Sequence, residues 1–197
     1  MPLIMELNKD IWNQRYLDHD MGWDIGYIST PLKAYFDQLS NKELRILIPG
    51  CGNAYEAEYL YQKGYKNVTL IDWAQKALDE FQQRNMDFPE DQLICTDFFK
   101  HHGQYDLIIE QTFFCALDPK LRPDYVQQMK NLLAKKGKLV GLLFNDKLYS
   151  HRPPFGGKKS AYEKLFSEHF TNVTMEIAHN SIPSRQDREL FLHVQNT

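Results

Sequence analysis

Gly50, Cys51 and Gly52 stand at the end of an apolar run, and Asp72 closes the next one. Glycines at such a turn let the backbone come close to a ligand, and a carboxylate ending the following strand accepts hydrogen bonds from both ribose hydroxyls. Together the four positions describe a nucleoside site. The third glycine of a dinucleotide fingerprint is absent, since Tyr55 holds its place, and Glu56 and Glu58 follow in the first helical turn. Two carboxylates there repel a pyrophosphate and tolerate a cationic ligand such as the ammonium and sulfonium of S-adenosylmethionine; equally, they complement the helix dipole. The turn alone leaves a methyl donor modestly ahead of a nicotinamide dinucleotide.

Three further groupings carry polar or aromatic chemistry. Asp97 and Phe98 follow a third apolar run, where a carboxylate can accept from an adenine amine and the backbone can reach the ring edge; a capping aspartate beside core phenylalanines reads as well. Trp12, Arg15, Tyr16, Trp23 and Asp24 crowd one N-terminal segment. Tryptophan faces attract cations, although docking a helix on the sheet explains them equally. In "IIEQTFFCALDP", Glu110, Gln111, Phe113, Phe114 and Cys115 emerge together from a strand. No histidine is placed beside Cys115 to activate it, so a buried structural thiol is expected there. The histidines show no ligand spacing with acids or cysteines, and no metal is expected.

These groups need a scaffold, and the chain supplies an alternation of strand-length and helix-length patterns from residue 44 onward. Strands are expected at 45–50, 67–72, 92–97, 105–111 and 137–144, with helices between them, which argues for a mostly parallel sheet covered on both faces. One helix carries Ala54, Ala57, Leu60 and Tyr61 inward and stops at Gly64; the next uses Trp73, Ala77, Leu78 and Phe81; a third begins near Pro123 and closes on Gly137. Two short helices precede this core, the second entered through Thr30-Pro31. Behind it come a loop "NDKLYSHRPPFGGKK", a helix with Ser160 and Glu163 at capping-box spacing, and two late strand-like runs. A single domain over 1–197 is expected, with a helical cover at 1–43, a ligand-binding core at 44–145 and a substrate loop with helix and hairpin at 146–197.

Bulk properties narrow the partners. The 197 residues are 43% hydrophobic and carry a net charge of -3, enough for one core and without a basic footprint for nucleic acid. No apolar run reaches the ~20 residues of a membrane span, and "MPLIMELNKD" lacks a leader's cationic and apolar parts. Three scattered cysteines encode neither a disulfide framework nor a zinc site. A cytoplasmic monomer acting on a small molecule is expected.

"GWDIG", "LIPGCG", "DFF", "EQTFFCALDP...RPDY", "PPFGG" and "RELF" together resemble the thiopurine S-methyltransferase-like family, most nearly its halide/thiol methyltransferase branch, from about Trp12 to Phe191. The resemblance implies a Rossmann-like S-adenosylmethionine-dependent methyltransferase fold whose sheet ends in an antiparallel strand. It implies that Trp12 and Trp23 cover the donor and that Gly50, Gly52, Asp72 and the adjoining Trp73 form its turn and ribose site. Asp97 and Phe98 become adenine contacts, and Gln111 a further donor contact. The expected reaction is in-line displacement by a soft nucleophile (thiolate, hydrosulfide, halide or thiopurine), a chemistry of alignment and water exclusion that needs no nucleophilic residue. Phe113, Phe114, Tyr149 and Phe155 are the candidate pocket walls, and Arg152 and Arg188 the candidates for steering an anion, against the alternative of ordinary surface arginines. A non-catalytic donor-binding module and, less well, a nicotinamide oxidoreductase remain as alternatives.

Overall fold

The computed structural model describes residues 7–197; the opening six, on which part of the leader argument rests, lie outside the described residues. Two helices come first, α1 (Lys9–Leu17) and α2 (Thr30–Phe36). An alternating core follows: β1 (Ile46–Pro49), α3 (Tyr55–Gln62), β2 (Val68–Asp72), α4 (Gln75–Arg84), β3 (Leu93–Cys95), β4 (Tyr105–Gln111), α5 (Arg122–Leu132) and β5 (Leu133–Phe144). The chain closes with α6 (Lys159–Ser167), β6 (Asn172–Ile177) and β7 (Glu189–Gln195). Among the described residues seven strands join one sheet in the order β3-β2-β1-β4-β5-β7-β6. The first five pair in parallel; β7 runs antiparallel between β5 and β6. Among the described residues no helix is long and apolar enough to cross a membrane.

Side chains that alternate along the central strands bury on opposite faces, as a sheet covered on both sides requires. Ile46, Ile48, Leu107 and Ile109 pack with Leu32, Leu60, Leu78 and Phe81 from α2, α3 and α4. Leu47, Ile108 and Leu139 pack with Tyr125, Val126, Met129 and Phe166 from α5 and α6. Each fully buried aliphatic side chain contributes roughly 1.5–3 kcal/mol. A third, smaller cluster joins Tyr16 to Ala74 and Ala77, with Trp12, Met21 and Trp23 against it, and so fastens α1 to α4.

Four expectations need correction. The third core helix ends at Leu132, not Gly137. Residues 133–137 instead belong to β5, with a bulge at 134–137: the pairing steps from Tyr105↔Leu133 to Leu107↔Lys138, and Asn196 donates to the carbonyls of Leu133 and Ala134. Gly137 is needed for close approach, since a Cβ there would lie 2.8 Å from the Tyr105 carbonyl oxygen. Ser160 and Glu163 form no capping box, because Lys158 is the N-cap residue and the Lys159 amide donates to Asn145. Trp73 lies ahead of α4 and is 37% exposed instead of packing inward. Ala54 stands just before α3 in a left-handed conformation instead of on its face.

Candidate functional site

Strand order reverses around β1, which has β2 on one side and β4 on the other. At such a point the loops leaving the strands' C-terminal ends part to leave a crevice. The loop after β1 holds three left-handed residues, Gly50 and Gly52 at φ 55 and Ala54 at φ 53. A Cβ on Gly50 would collide with the Phe113 ring, and one on Gly52 would press the Tyr16 hydroxyl at 3.0 Å. Both glycines are therefore required by conformation and by contact.

Asp72 lies against this turn, its carboxylate accepting from the Gly52 amide at 2.9 Å and the Ala74 amide at 2.8 Å. It is 8% exposed, and burial raises its carboxyl above the ordinary carboxylate range. Two backbone bonds leave lone pairs for hydroxyl donors, as a ribose would provide. Of the two acids after the turn, only Glu56 lines the crevice; it is 5% exposed and accepts from the Ser29 amide at 3.2 Å. Glu58 points elsewhere and takes a bond from Gln62, so the argument from two repelling carboxylates reduces to one.

Above the turn lies the N-terminal cover. Trp23 meets Trp12 and Tyr16 edge to face at 5.6 and 5.8 Å, and the Arg15 guanidinium sits 4.5 Å from the Trp23 ring centre. Asp24 ties the cover down by accepting from Asn53 and from the Tyr55 hydroxyl. Trp23 lines the crevice, whereas Trp12 packs beside it against Tyr16 and α4. Docking and covering are thus one arrangement, divided between the two tryptophans.

The crevice encloses about 50 Å³ and is lined by Trp23, Tyr27, the 50–56 turn, Gln111 and Thr112. Gln111 Oε1 is buried there without a hydrogen-bond partner among the described residues. A buried acceptor left unpaired costs about 1–3 kcal/mol, a cost that a ligand donor would remove. Beyond Gln111 the chain turns sharply at Thr112, φ 60, and buried Glu110 accepts from the amides of Phe113 and Phe114 at 2.8 and 2.9 Å and from the Tyr125 hydroxyl at 2.6 Å.

Other expected site residues sit differently. Phe113 packs behind Gly50 against Phe98 and Tyr125, and Phe114, 1% exposed, belongs to the core with Tyr125, Tyr162 and Phe166. The Phe98 side chain is also in that core, which leaves only its backbone at the sheet edge, while Asp97 caps the following turn through the Phe99 amide. Tyr149 and Phe155 line a separate cavity of about 900 Å³ with Arg122, Lys147 and Lys158, and it shares no lining residue with the crevice. Arg152 stacks on Tyr149 at 3.9 Å, and Arg188 pairs with Asp146 at 2.6 Å. Neither arginine lines the crevice. Cys115 is buried, and burial pushes its thiol up to about 12, leaving it no thiolate character near neutrality.

Arg185, in the loop between β6 and β7, contacts the backbone of Trp23 without itself lining the crevice. It is 8% exposed, donates to the Trp23 carbonyl at 2.7 Å and to Glu189 at 3.2 Å, and its charge opposes the upward shifts of both Glu56 and Cys115. Sequence reasoning missed it because the contact to Trp23 spans most of the chain; its spacing of four from Glu189 was the one local signal. Among the described residues no group of histidine, cysteine and acidic side chains is arranged to hold a metal.

Comparisons with known proteins bear on the family and the fold. The family described as Thiopurine S-methyltransferase (TPMT) matches residues 7–191. The chain is 29% identical over 169 residues to "Probable thiol methyltransferase 2" of Arabidopsis thaliana, covering 83% of this chain and 74% of the relative. It is 28% identical over 185 residues to "Thiocyanate methyltransferase 1" of Brassica oleracea, covering 90% and 81%. In fold it is similar to Burkholderia thailandensis 1,6-didemethyltoxoflavin-N1-methyltransferase, solved with its substrate and S-adenosylhomocysteine, at a TM-score of 0.73 and 12% identity over 96% of this chain and 87% of that one.

Proposed function

The chain belongs to the thiopurine S-methyltransferase family, and from that premise we propose that it methylates a small, anionic sulfur nucleophile, with Arg185 drawing the anion toward the crevice. The methyl donor is S-adenosylmethionine. The residues present fit that donor: a glycine turn clasped by Asp72, an unpaired Gln111 acceptor, and Trp23 above them. When bound, the donor supplies a methyl group already activated on a sulfonium.

The chain's own residues then have three tasks. Gly50 and Gly52 admit the donor's backbone-side edge, and Asp72 accepts from its ribose hydroxyls. Trp23 covers the crevice against water, which keeps the nucleophile unsolvated and the electrostatics strong. Arg185, bonded to the Trp23 carbonyl and paired with Glu189 behind the crevice wall, acts on an incoming anion through its field and not by lining the crevice. No side chain must act as nucleophile, and for an anion none must act as base. Fusion of opposite charges into neutral products favours a site that stabilises little net charge.

The observation that carries this reading is the clasped turn facing an unpaired buried acceptor. Tyr55 and buried Glu56 in place of a free phosphate cradle disfavour a dinucleotide. The test is a competition among acceptors with labelled donor: bisulfide, thiocyanate, iodide, aromatic thiols and a thiopurine. Bisulfide, thiocyanate or a small thiol should be methylated with at least tenfold higher kcat/KM than the thiopurine. A preference for the thiopurine would reject the small-anion assignment.

A further inference from the structure

Glu110, the penultimate residue of β4, has its side chain wholly buried, yet none of the residues assigned to binding or transfer calls on it. A buried carboxyl must be hydrogen-bonded to be tolerated, and this one has three donors: the amides of Phe113 and Phe114 on Oε1 and the Tyr125 hydroxyl on Oε2. Those two amides belong to the turn that begins at left-handed Thr112. The same turn sets the far wall of the crevice, where Gln111 and Thr112 face Gly50 and Gly52. Gly141, its register partner on β5, lets the two strands approach closely there, since a Cβ on it would collide with the Glu110 Cβ and backbone oxygen.

We propose that Glu110 is a positioning residue for methyl transfer, its carboxylate clamping the turn after β4 in the form that presents Gln111 and Thr112 to the donor. This rests on the donor occupying the crevice. The titratable groups that face Glu110 are Tyr125 from α5 and Cys115 from the turn; β1 contributes only apolar residues and β5 only Gly141. Arg122 and Arg185 act on Cys115 and are not paired with Glu110. With no cation beside it, burial pushes the carboxyl up to about 7. Ionised, it accepts all three bonds, and bonds to a charged acceptor are about twice as strong as neutral ones. Protonated, it holds the amides more weakly and the Tyr125 hydroxyl must reverse. The clamp therefore tightens as pH rises through neutrality.

The test compares wild type, E110Q and Y125F by calorimetry with S-adenosylhomocysteine between about pH 5.5 and 8.5. Wild type should bind more tightly as pH rises through about 7. E110Q, which keeps an Oε1 acceptor, should melt cooperatively, bind about tenfold more weakly at the upper pH and lose the pH dependence. Y125F, which removes one donor from the carboxylate, should keep the dependence and move its midpoint upward. Folded E110Q with wild-type affinity and an unchanged profile would overturn the assignment; if E110Q fails to fold, an unmoved midpoint in Y125F overturns it. Wild type that binds no S-adenosylhomocysteine at any pH would instead remove the donor reading on which the clamp depends.

Discussion

Under the proposed assignment Asp72 would carry two tasks with one carboxylate, since the oxygens that fasten the Gly52 and Ala74 amides would also accept from a ribose. Replacing it with alanine should weaken S-adenosylhomocysteine binding at least a hundredfold by calorimetry, because two buried amides lose their acceptor and the ligand loses its own. Affinity within threefold of wild type would refute the ribose assignment. Arg185 should behave differently: R185M should lower kcat/KM for an anionic acceptor by tenfold or more and leave donor affinity within about threefold, provided Glu189 is changed to glutamine alongside it to avoid an unpaired buried charge. A drop in donor affinity with an intact acceptor constant would make Arg185 part of the cover only. The Cys115 thiol, held up to about 12 by burial, predicts that C115A retains turnover within about threefold, and abolished turnover in a folded variant would reinstate it as a nucleophile.

Among the elements, the strand-helix units were legible because each carries its own period. β4 falls on the expected 105–111, and β2 within one residue of its expected start, because β-branched and aliphatic runs ended by polar turns leave no other choice. α5 was overextended because "LLAKKG" looks helical in isolation, whereas pairing with β4 and the Asn196 side chain draws it into β5. Boundaries of that kind depend on partners remote in sequence. The cover illustrates the same limit: Trp12 and Trp23 drew notice by type, but only the fold shows that Trp23 lines the crevice while Trp12 supports it. W23A should accordingly weaken S-adenosylhomocysteine binding more than W12A, and equal effects would mean that the two act as one unit. G50A should be the costlier change in the turn, combining a left-handed conformation with collision against Phe113, about 1–3 kcal/mol of strain by thermal unfolding plus loss of donor binding.

At the scale of the molecule, topology puts the crevice proposed for the nucleoside at the reversal of strand order, and that much follows from alternation and a glycine turn. Closing the site from the other side was not legible, because it depends on the antiparallel return of β7 and the preceding loop, which carry Arg185 across to Trp23. Of the expected anion-steering arginines, the fold turns Arg152 onto Tyr149 and pairs Arg188 with Asp146. Global stability should also register Glu110. Its folded carboxyl titrates above the unfolded value, so the native state binds the extra proton and stability falls as pH rises from about 4.5 to about 7. E110Q should flatten that part of the melting profile.

The most direct measurement incubates the protein with methyl-labelled S-adenosylmethionine and bisulfide, and follows label and S-adenosylhomocysteine together. Equimolar appearance of methanethiol and S-adenosylhomocysteine, lost in D72A, is the predicted result. Tight binding of S-adenosylhomocysteine with no label transferred to bisulfide, thiocyanate, halide or any small thiol would contradict it.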